Sequence, residues 1–329
     1  MYYFVMKINE KLRSYFAIKR SKKILKKNVS EFSCYLKPGN YLVLKQYNCI
    51  YHDNTHQNNI DAIKGYFNKN IVGKKILISG SNNSSYSCMV VCGGGTSFKF
   101  FDFENKVVLT AYKSLETLEK YLESRTSIFP TSTIIDVDRE SFLIKEALLV
   151  DCAKSEEEKF RKLIVFENEH ASKSKISTFN ISVLENLKKC RKSVIDRFNK
   201  YFLKNSFETS SVPSLIQHGD AWSANIFVEH NSLKFIDFDR VAEYPAFYDL
   251  FLFAYTEGFF KKDNSIVKAW LNGSYDVLFK QNIILKATNY KDIFVFDCYV
   301  MLLMRHESKG EYRISDEIIE YLEKIVVDF

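Results

Sequence analysis

The segment His218-Gly219-Asp220-Ala221-Trp222-Ser223-Ala224-Asn225 sets a carboxylate and an amide five residues apart, and Asp237 follows in Phe235-Ile236-Asp237-Phe238-Asp239. Amide and carboxylate oxygens are what a hard divalent cation demands as ligands. A further carboxylate nearby is suited to accept or orient the proton of an alcohol. Together they suit the transfer of a phosphoryl group to a hydroxyl. That reaction asks little covalent chemistry of a protein; it needs a positioned nucleophile and neutralised phosphate charge. In this reading Asp220 is the base, while Asn225 and Asp237 hold one or two magnesium ions that bridge the phosphates of ATP.

A β-hairpin is the element that brings these residues together. Ile226-Phe227-Val228 and Leu233-Lys234-Phe235-Ile236 are short apolar runs, separated by the polar cluster Glu229-His230-Asn231-Ser232. Folded about Asn231, the hairpin sets position 225 opposite position 237, at about 4.5–5.5 Å between Cα atoms. Asp220 then lies on the loop at the mouth of the hairpin. His218 is expected to hydrogen-bond backbone near the loop. Asp239 and Arg240 could orient Asp220 or a second metal, or simply pair with each other.

The Asp220-to-Asn225 spacing equals that of the protein-kinase catalytic loop, with Gly219 where that loop carries arginine. His-Gly-Asp, four residues, Asn, then Ile-Asp-Phe-Asp resembles the aminoglycoside phosphotransferase and choline kinase family of small-molecule kinases. Tyr248-Asp249-Leu250 looks like that family's Tyr-Asp-Leu segment, with Asp249 as an anchor of the catalytic loop. The resemblance implies an α+β, two-lobed protein-kinase-like fold, with a small β-rich N-terminal lobe and a larger, mostly helical C-terminal lobe. It also implies ATP and Mg2+ as cofactors, and transfer of the γ-phosphoryl group to a small hydroxyl acceptor.

The acceptor stays open among an amino alcohol such as choline, an aminoglycoside, and a sugar or glycan precursor. Trp222, Tyr244, Phe247, Tyr248, Tyr255, Glu257 and Trp270 would suit a cationic amine through cation–π attraction; aromatics at helical spacing equally describe a core. Two other classes compete. One is a catalytically impaired, kinase-like nucleotide-binding module. The other is a kinase acting on protein, against which stands the lack of Asp-Phe-Gly and Ala-Pro-Glu segments.

Along the chain, residues 1–70 form an N-terminal extension without an assigned role, with a strand at Tyr41–Leu44 after the turn Lys37–Asn40. Residues 71–150 read as the small β-rich nucleotide-binding lobe. Strands fall at Lys75–Ile78, Cys88–Val91, Phe98–Phe103, Val107–Lys113 and Ser141–Leu148, with a helix over Ser114–Arg125 capped by Ser114. Gly93-Gly94-Gly95 suits a phosphate-covering loop better than its rival Gly80–Ser85, since bare backbone N–H groups permit a close approach. A phosphate-contacting lysine is expected after Val107-Val108-Leu109, where Thr110 stands instead. Lys99, Lys106 and Lys113 remain, with Glu119 and Glu123 as carboxylate partners on the helix. Glu146, on the strand entering the hinge, joins the nucleotide-binding set. Residues 151–329 form the helical lobe with the catalytic loop and substrate site, with helices at Ile181–Asn205, Pro245–Phe260, Ser265–Lys280, Asp292–His306 and Ser315–Val327.

Composition narrows the setting. The 329 residues are 46% apolar and 15% aromatic with few glycines and prolines, which predicts well-packed lobes rather than disorder. The net charge of +7 is modest; the basic run Lys19–Lys27 reads as a solvated helix face, so no nucleic-acid partner is expected. The longest apolar stretch, Ile293–Met304, is broken by Asp297, so no membrane span is expected. The start does not read as a signal peptide. Seven dispersed cysteines, without a two-residue zinc knuckle, read as reduced thiols in a cytoplasmic protein. The oligomeric state is not legible.

Overall fold

The computed structural model describes residues 22–44, 49–55, 71–92, 95–125, 128–180, 211–238, 240–280 and 320–321. The chain divides into two compact units. The first comprises Met1–Glu123 and Ser132–Leu149, the second Ser124–Thr131 and Val150–Phe329.

The first unit is an eight-stranded antiparallel sheet of β1 (Gly39–Leu44), β2 (Cys49–His52), β3 (Ile71–Ile78), β4 (Cys88–Cys92), β5 (Ser97–Asp102), β6 (Val107–Tyr112), β7 (Ile134–Asp138) and β8 (Leu143–Ala147). Its strand order is β3-β1-β2-β4-β5-β6-β8-β7. Side chains alternate between two buried faces, as the period of a strand requires. One face gathers Phe98, Phe100, Leu109 and Ala111 with Tyr41, Ile50 and Met89, under Leu25 of helix α1 (residues 22–32). The other gathers Cys49, Tyr51, Cys88, Val90 and Phe101, then Tyr112 and Ile144 against Leu118 of helix α2 (Leu115–Ser124). Ser114 caps α2, its Oγ accepting the Thr117 N–H at 3.3 Å.

The sheet crosses the boundary drawn at residue 70. β1 pairs with β3, and β2 with β4, so the strands of residues 39–52 are interior members of the sheet. β7 had no counterpart in the sequence reading, because its residues are only partly buried and mixed in polarity.

The first helix of the second unit is α3 (Glu156–Lys173), also unanticipated. Ser155 caps it by accepting the Glu158 N–H, and the Glu158 carboxylate accepts the Lys154 N–H at 2.9 Å. A three-stranded sheet follows, in the order β13 (Ala242–Pro245), β10 (Ser211–Gln217), β9 (Ser177–Asn180), together with the separate hairpin β11 (Ile226–Glu229)–β12 (Ser232–Phe235). Helices α4 (Tyr248–Lys261), α5 (Ser265–Leu271) and α6 (Asp276–Phe279) come next. Two expected helices are redrawn. Residues 242–245 are strand, and Phe247 takes a left-handed conformation, so α4 starts only at Tyr248. Ser265–Lys280 is interrupted at Gly273, whose φ is +83°. The helices expected at Ile181–Asn205 and Asp292–His306 lie outside the described residues, as does Ser315–Val327 apart from residues 320–321.

Phe160 of α3 packs on Phe253, Trp270 and Tyr275 at ring-centroid distances of 5.1–5.8 Å, forming one core of this unit. Among the described residues, no helix is long and apolar enough to cross a membrane. Among the described residues, Cys49 and Cys88 lie side by side in the sheet with their sulfurs 3.7 Å apart.

Candidate active site

Strand β10 leads into the His218–Asn225 loop, and the helix that follows the hairpin fixes the start of that loop. Asp249, in the first turn of α4, accepts the backbone N–H of His218 at 2.7 Å and of Gly219 at 2.8 Å, one on each carboxylate oxygen. Gln217 completes the clamp, its Oε1 accepting the Asp249 N–H at 2.8 Å. His218 Nε2 bonds to the carbonyl of Ile236 at 2.9 Å, tying the loop to the far end of the hairpin. The ring sits edge-on to Phe129 and against Phe235 and Phe238. Burial pushes its pKa down to about 4, against the opposing charge of Asp237. The imidazole is therefore neutral, and its Nε2 carries the proton given to the carbonyl.

Asp220 follows Gly219, whose φ is +72°, and it is joined directly to Asn225. The Asn225 Nδ2 donates to the Asp220 carbonyl at 2.9 Å and to its carboxylate Oδ2 at 3.1 Å. With its amide hydrogens turned to Asp220, Asn225 has its side-chain oxygen, Oδ1, left as the group that can face a cation. The hairpin register differs by one residue from the expected one. Ile226 pairs with Phe235 and Glu229 with Ser232, so Asn225 meets Ile236, whose N–H bonds to the Asn225 carbonyl at 3.0 Å. The cause is the turn. His230 and Asn231 both have positive φ, which gives a two-residue hairpin loop centred between them. Asp237 lies one residue beyond the Asn225–Ile236 bond, exposed and left-handed at φ +67°. Among the described residues, no group of three or more His, Cys, Asp or Glu forms a ready metal cluster. Magnesium fits this sparse donor set, because it takes one or two protein oxygens and draws others from phosphates and water. Asp239 lies outside the described residues, and Arg240 is exposed with its carbonyl held by the Tyr244 hydroxyl.

Two lysines that the sequence reading missed hold the middle of the loop. Lys159 of α3, buried and paired with Asp151, donates to the Ser223 carbonyl at 3.1 Å. Lys261 of α4 donates to the Ser223 hydroxyl at 2.6 Å and pairs with Glu257 and Glu156. Glu167, also on α3, is 1% exposed and neither carboxylate oxygen finds a partner among the described residues. Burial, then the neighbouring Asp249, raises its pKa well above the usual range. Burial likewise pushes Asp249 up to about 7, against the two N–H donations. Of this pair Glu167 carries the proton, since Asp249 has two donors that favour its anion.

Of the residues expected to meet nucleotide, Gly93 and Gly94 lie outside the described residues. Gly95 sits in the β4–β5 turn at φ +99°, with its N–H bonded to the Cys92 carbonyl. The rival Gly80 is packed within 2.4–2.7 Å of the backbone of residues 36–38 as judged by an added Cβ, so it is a turn glycine closed against the body of the sheet. Lys99, Thr110 and Glu146 share one sheet face. Lys113 lies past the end of β6, its ammonium 5.4 Å from the Phe98 ring on the opposite face. Lys106 is exposed in the β5–β6 turn. Glu119 pairs with Arg139 at 2.7 Å, and Glu123 is exposed.

The aromatic set proposed for a cationic acceptor is mostly core. Tyr244, Phe247, Tyr248, Tyr255 and Trp270 are buried, and Glu257 is committed to Lys261. Trp222 alone of these aromatics is partly open, two residues from Asp220.

Residues 170–278 match the phosphotransferase enzyme family APH. The matched stretch runs from the end of α3 into α6 and includes His218–Asn225, Asp237 and Asp249. Solved structures with a similar chain course include an aminoglycoside phosphotransferase from Streptomyces rimosus, 12% identical over 65% of this chain and 91% of its own, with a TM-score of 0.39. Another is an ethanolamine kinase of Plasmodium vivax, 15% identical over 73% and 80%, TM-score 0.40. A third is a choline kinase of Streptococcus pneumoniae, 12% identical over 71% and 90%, TM-score 0.40. No curated protein matches the sequence significantly. The chain has an α+β architecture, and the stretch matched by the family model lies in its second unit.

Proposed function

We propose that this protein is an ATP-dependent small-molecule kinase that moves the γ-phosphoryl group of ATP to a hydroxyl of a small acceptor. Asp220 accepts or orients the proton of that hydroxyl. Asn225 and Asp237 hold magnesium, which when bound neutralises charge on the transferring phosphoryl group. Gly95, in the β4–β5 turn, covers the phosphates, and Gly93 and Gly94 share that role. The observation that carries the reading is the Asn225–Asp220 hydrogen bond within a loop clamped by Asp249. It joins the base to a metal ligand inside the segment that matches the phosphotransferase family. The acceptor is an amino alcohol, an aminoglycoside or a sugar, and the burial of the aromatic set gives no preference for the amine. The dispersed cysteines of the sequence fit work in the cytoplasm.

The test is a panel of choline, ethanolamine, aminoglycosides and sugars incubated with labelled ATP and magnesium. Asp220→Asn should lower turnover by about 10²–10⁴-fold with ATP binding retained. Full turnover by that variant would remove Asp220 from the mechanism. A second reading, a nucleotide-binding module without transfer, is favoured by Thr110 at the position where a lysine was expected. ATP binding with no labelled product across the panel and a protein extract would select it.

A further inference from the structure

We propose that Lys99, on β5, supplies the ammonium that contacts the nucleotide phosphates, in place of a lysine on β6. The inference rests on the phosphotransferase reading above and assigns one residue of that site.

Thr110 occupies the β6 position where the phosphate lysine was expected. It is 1% exposed, and its hydroxyl has no hydrogen-bond partner among the described residues. Directly across the sheet from it stands Lys99. Cross-strand partners point to the same face, with Cβ atoms about 4.5–5.5 Å apart. An ammonium on a four-carbon stem rooted at either position therefore sweeps an overlapping volume. The row runs Val90–Lys99–Thr110–Ile144 across four strands, so Lys99 is the cation in an otherwise uncharged file. Lys99 also lies two residues into β5 from the β4–β5 turn that carries Gly95.

A carboxylate lies on the same face. Glu146 of β8 pairs with Val108, two residues along β6 from Thr110. It is 6% exposed and accepts from the Tyr121 hydroxyl of α2 at 3.2 Å and from Ser132 Oγ at 2.8 Å. The α2 glutamates are placed otherwise, Glu119 in its pair with Arg139 and Glu123 exposed. Lysine and carboxylate are both displaced by one strand or element, yet remain on one face. Lys113 does not meet these conditions, since its ammonium lies over Phe98 on the α1 side.

Calorimetric binding of ATP and of adenosine to the wild-type chain, Lys99→Met, Lys113→Met and the double variant Lys99→Met/Thr110→Lys tests the assignment. Lys99→Met should weaken ATP by about tenfold to a hundredfold and leave adenosine unchanged, because only the phosphates lose a charged donor. Lys113→Met should behave as wild type, and Thr110→Lys in the Lys99→Met background should recover affinity for ATP. Unchanged ATP binding in Lys99→Met, an equal loss of ATP and adenosine, a loss in Lys113→Met, or no recovery in the double variant would overturn the proposal. Should Lys99→Met fail to fold, Lys99→Gln carries the same comparison. A wild-type chain that binds no ATP would bring down the phosphotransferase reading and this assignment with it.

Discussion

A methyl group at position 219 would fall 2.4 Å from the carbonyl oxygen of Arg240 and 2.5 Å from the Tyr244 hydroxyl, on a backbone already left-handed at φ +72°. Glycine is required there on both counts, and the residue it aims is Asp220. Gly219→Ala should cost at least about 1–3 kcal/mol of stability and remove most turnover, read from urea midpoints and product formation. A variant with wild-type turnover would show that the loop tolerates displacement. The preceding residue sets a pH limit. His218 is held neutral with a pKa of about 4 against 6.5 for a free imidazole. Its contribution is therefore complete above pH 6.5 and is lost as pH falls towards 4. The full loss amounts to about 3 kcal/mol. Thermal midpoints should fall across that window, and His218→Gln should flatten the fall; a variant with the wild-type slope would assign it to other groups.

At the scale of elements, the clamp between β10 and α4 is the part most open to a single change. Asp249→Asn replaces one accepting oxygen by an N–H2 group facing a backbone donor. The expected cost is about 1.5–3 kcal/mol, with a fall in kcat larger than any change in the KM for ATP. An equal stability with unchanged kcat would mean that the backbone of 218–219 keeps its shape unaided. The hairpin was legible because two apolar runs flank polar turn residues, whereas its register was not. That depended on His230 and Asn231 both turning left-handed, a choice between turn types that side-chain polarity leaves open. Helix α3 escaped notice because Lys159, Glu167 and His170 are buried on its inner face, which blurs the apolar period, although Ser155 and Glu158 mark its start. β1 was read as a strand at Tyr41–Leu44 but not joined to the sheet, and β2 was not read at all. The two pair with each other, yet what ties them into the sheet is pairing with β3 and β4, and pairing at such separation leaves no local pattern. The nearness of Asp220 and Asn225 was legible because it depends on spacing within one segment, while Lys159 and Lys261 reach Ser223 from helices on either side in the sequence.

Across the whole molecule, each unit has a core of its own. The sheet of the first buries Phe98, Phe100, Tyr41 and Met89, and the second packs Phe160 with Trp270 and Tyr275. Phe100→Ala should cost the first unit about 3–5 kcal/mol. Hydrogen exchange should then show the earliest loss of protection in β4, β5 and β6; loss spread evenly through α3 and α4 would argue for a single shared core. Trp222 and Trp270 both belong to the second unit, so their emission is a separate reporter for it.

The Asp249 clamp also orders events in time. His218 and Asp249 are 31 residues apart, with the whole hairpin between them. A chain emerging from the ribosome presents the loop and hairpin before the carboxylate that shapes the loop exists. The hairpin can close on local contacts within microseconds, while the bond that sets the loop must wait for α4 to be made and docked. A nascent chain arrested just after residue 245 would therefore carry Asp220 and Asn225 in full, and still lack the clamp that gives their loop its geometry.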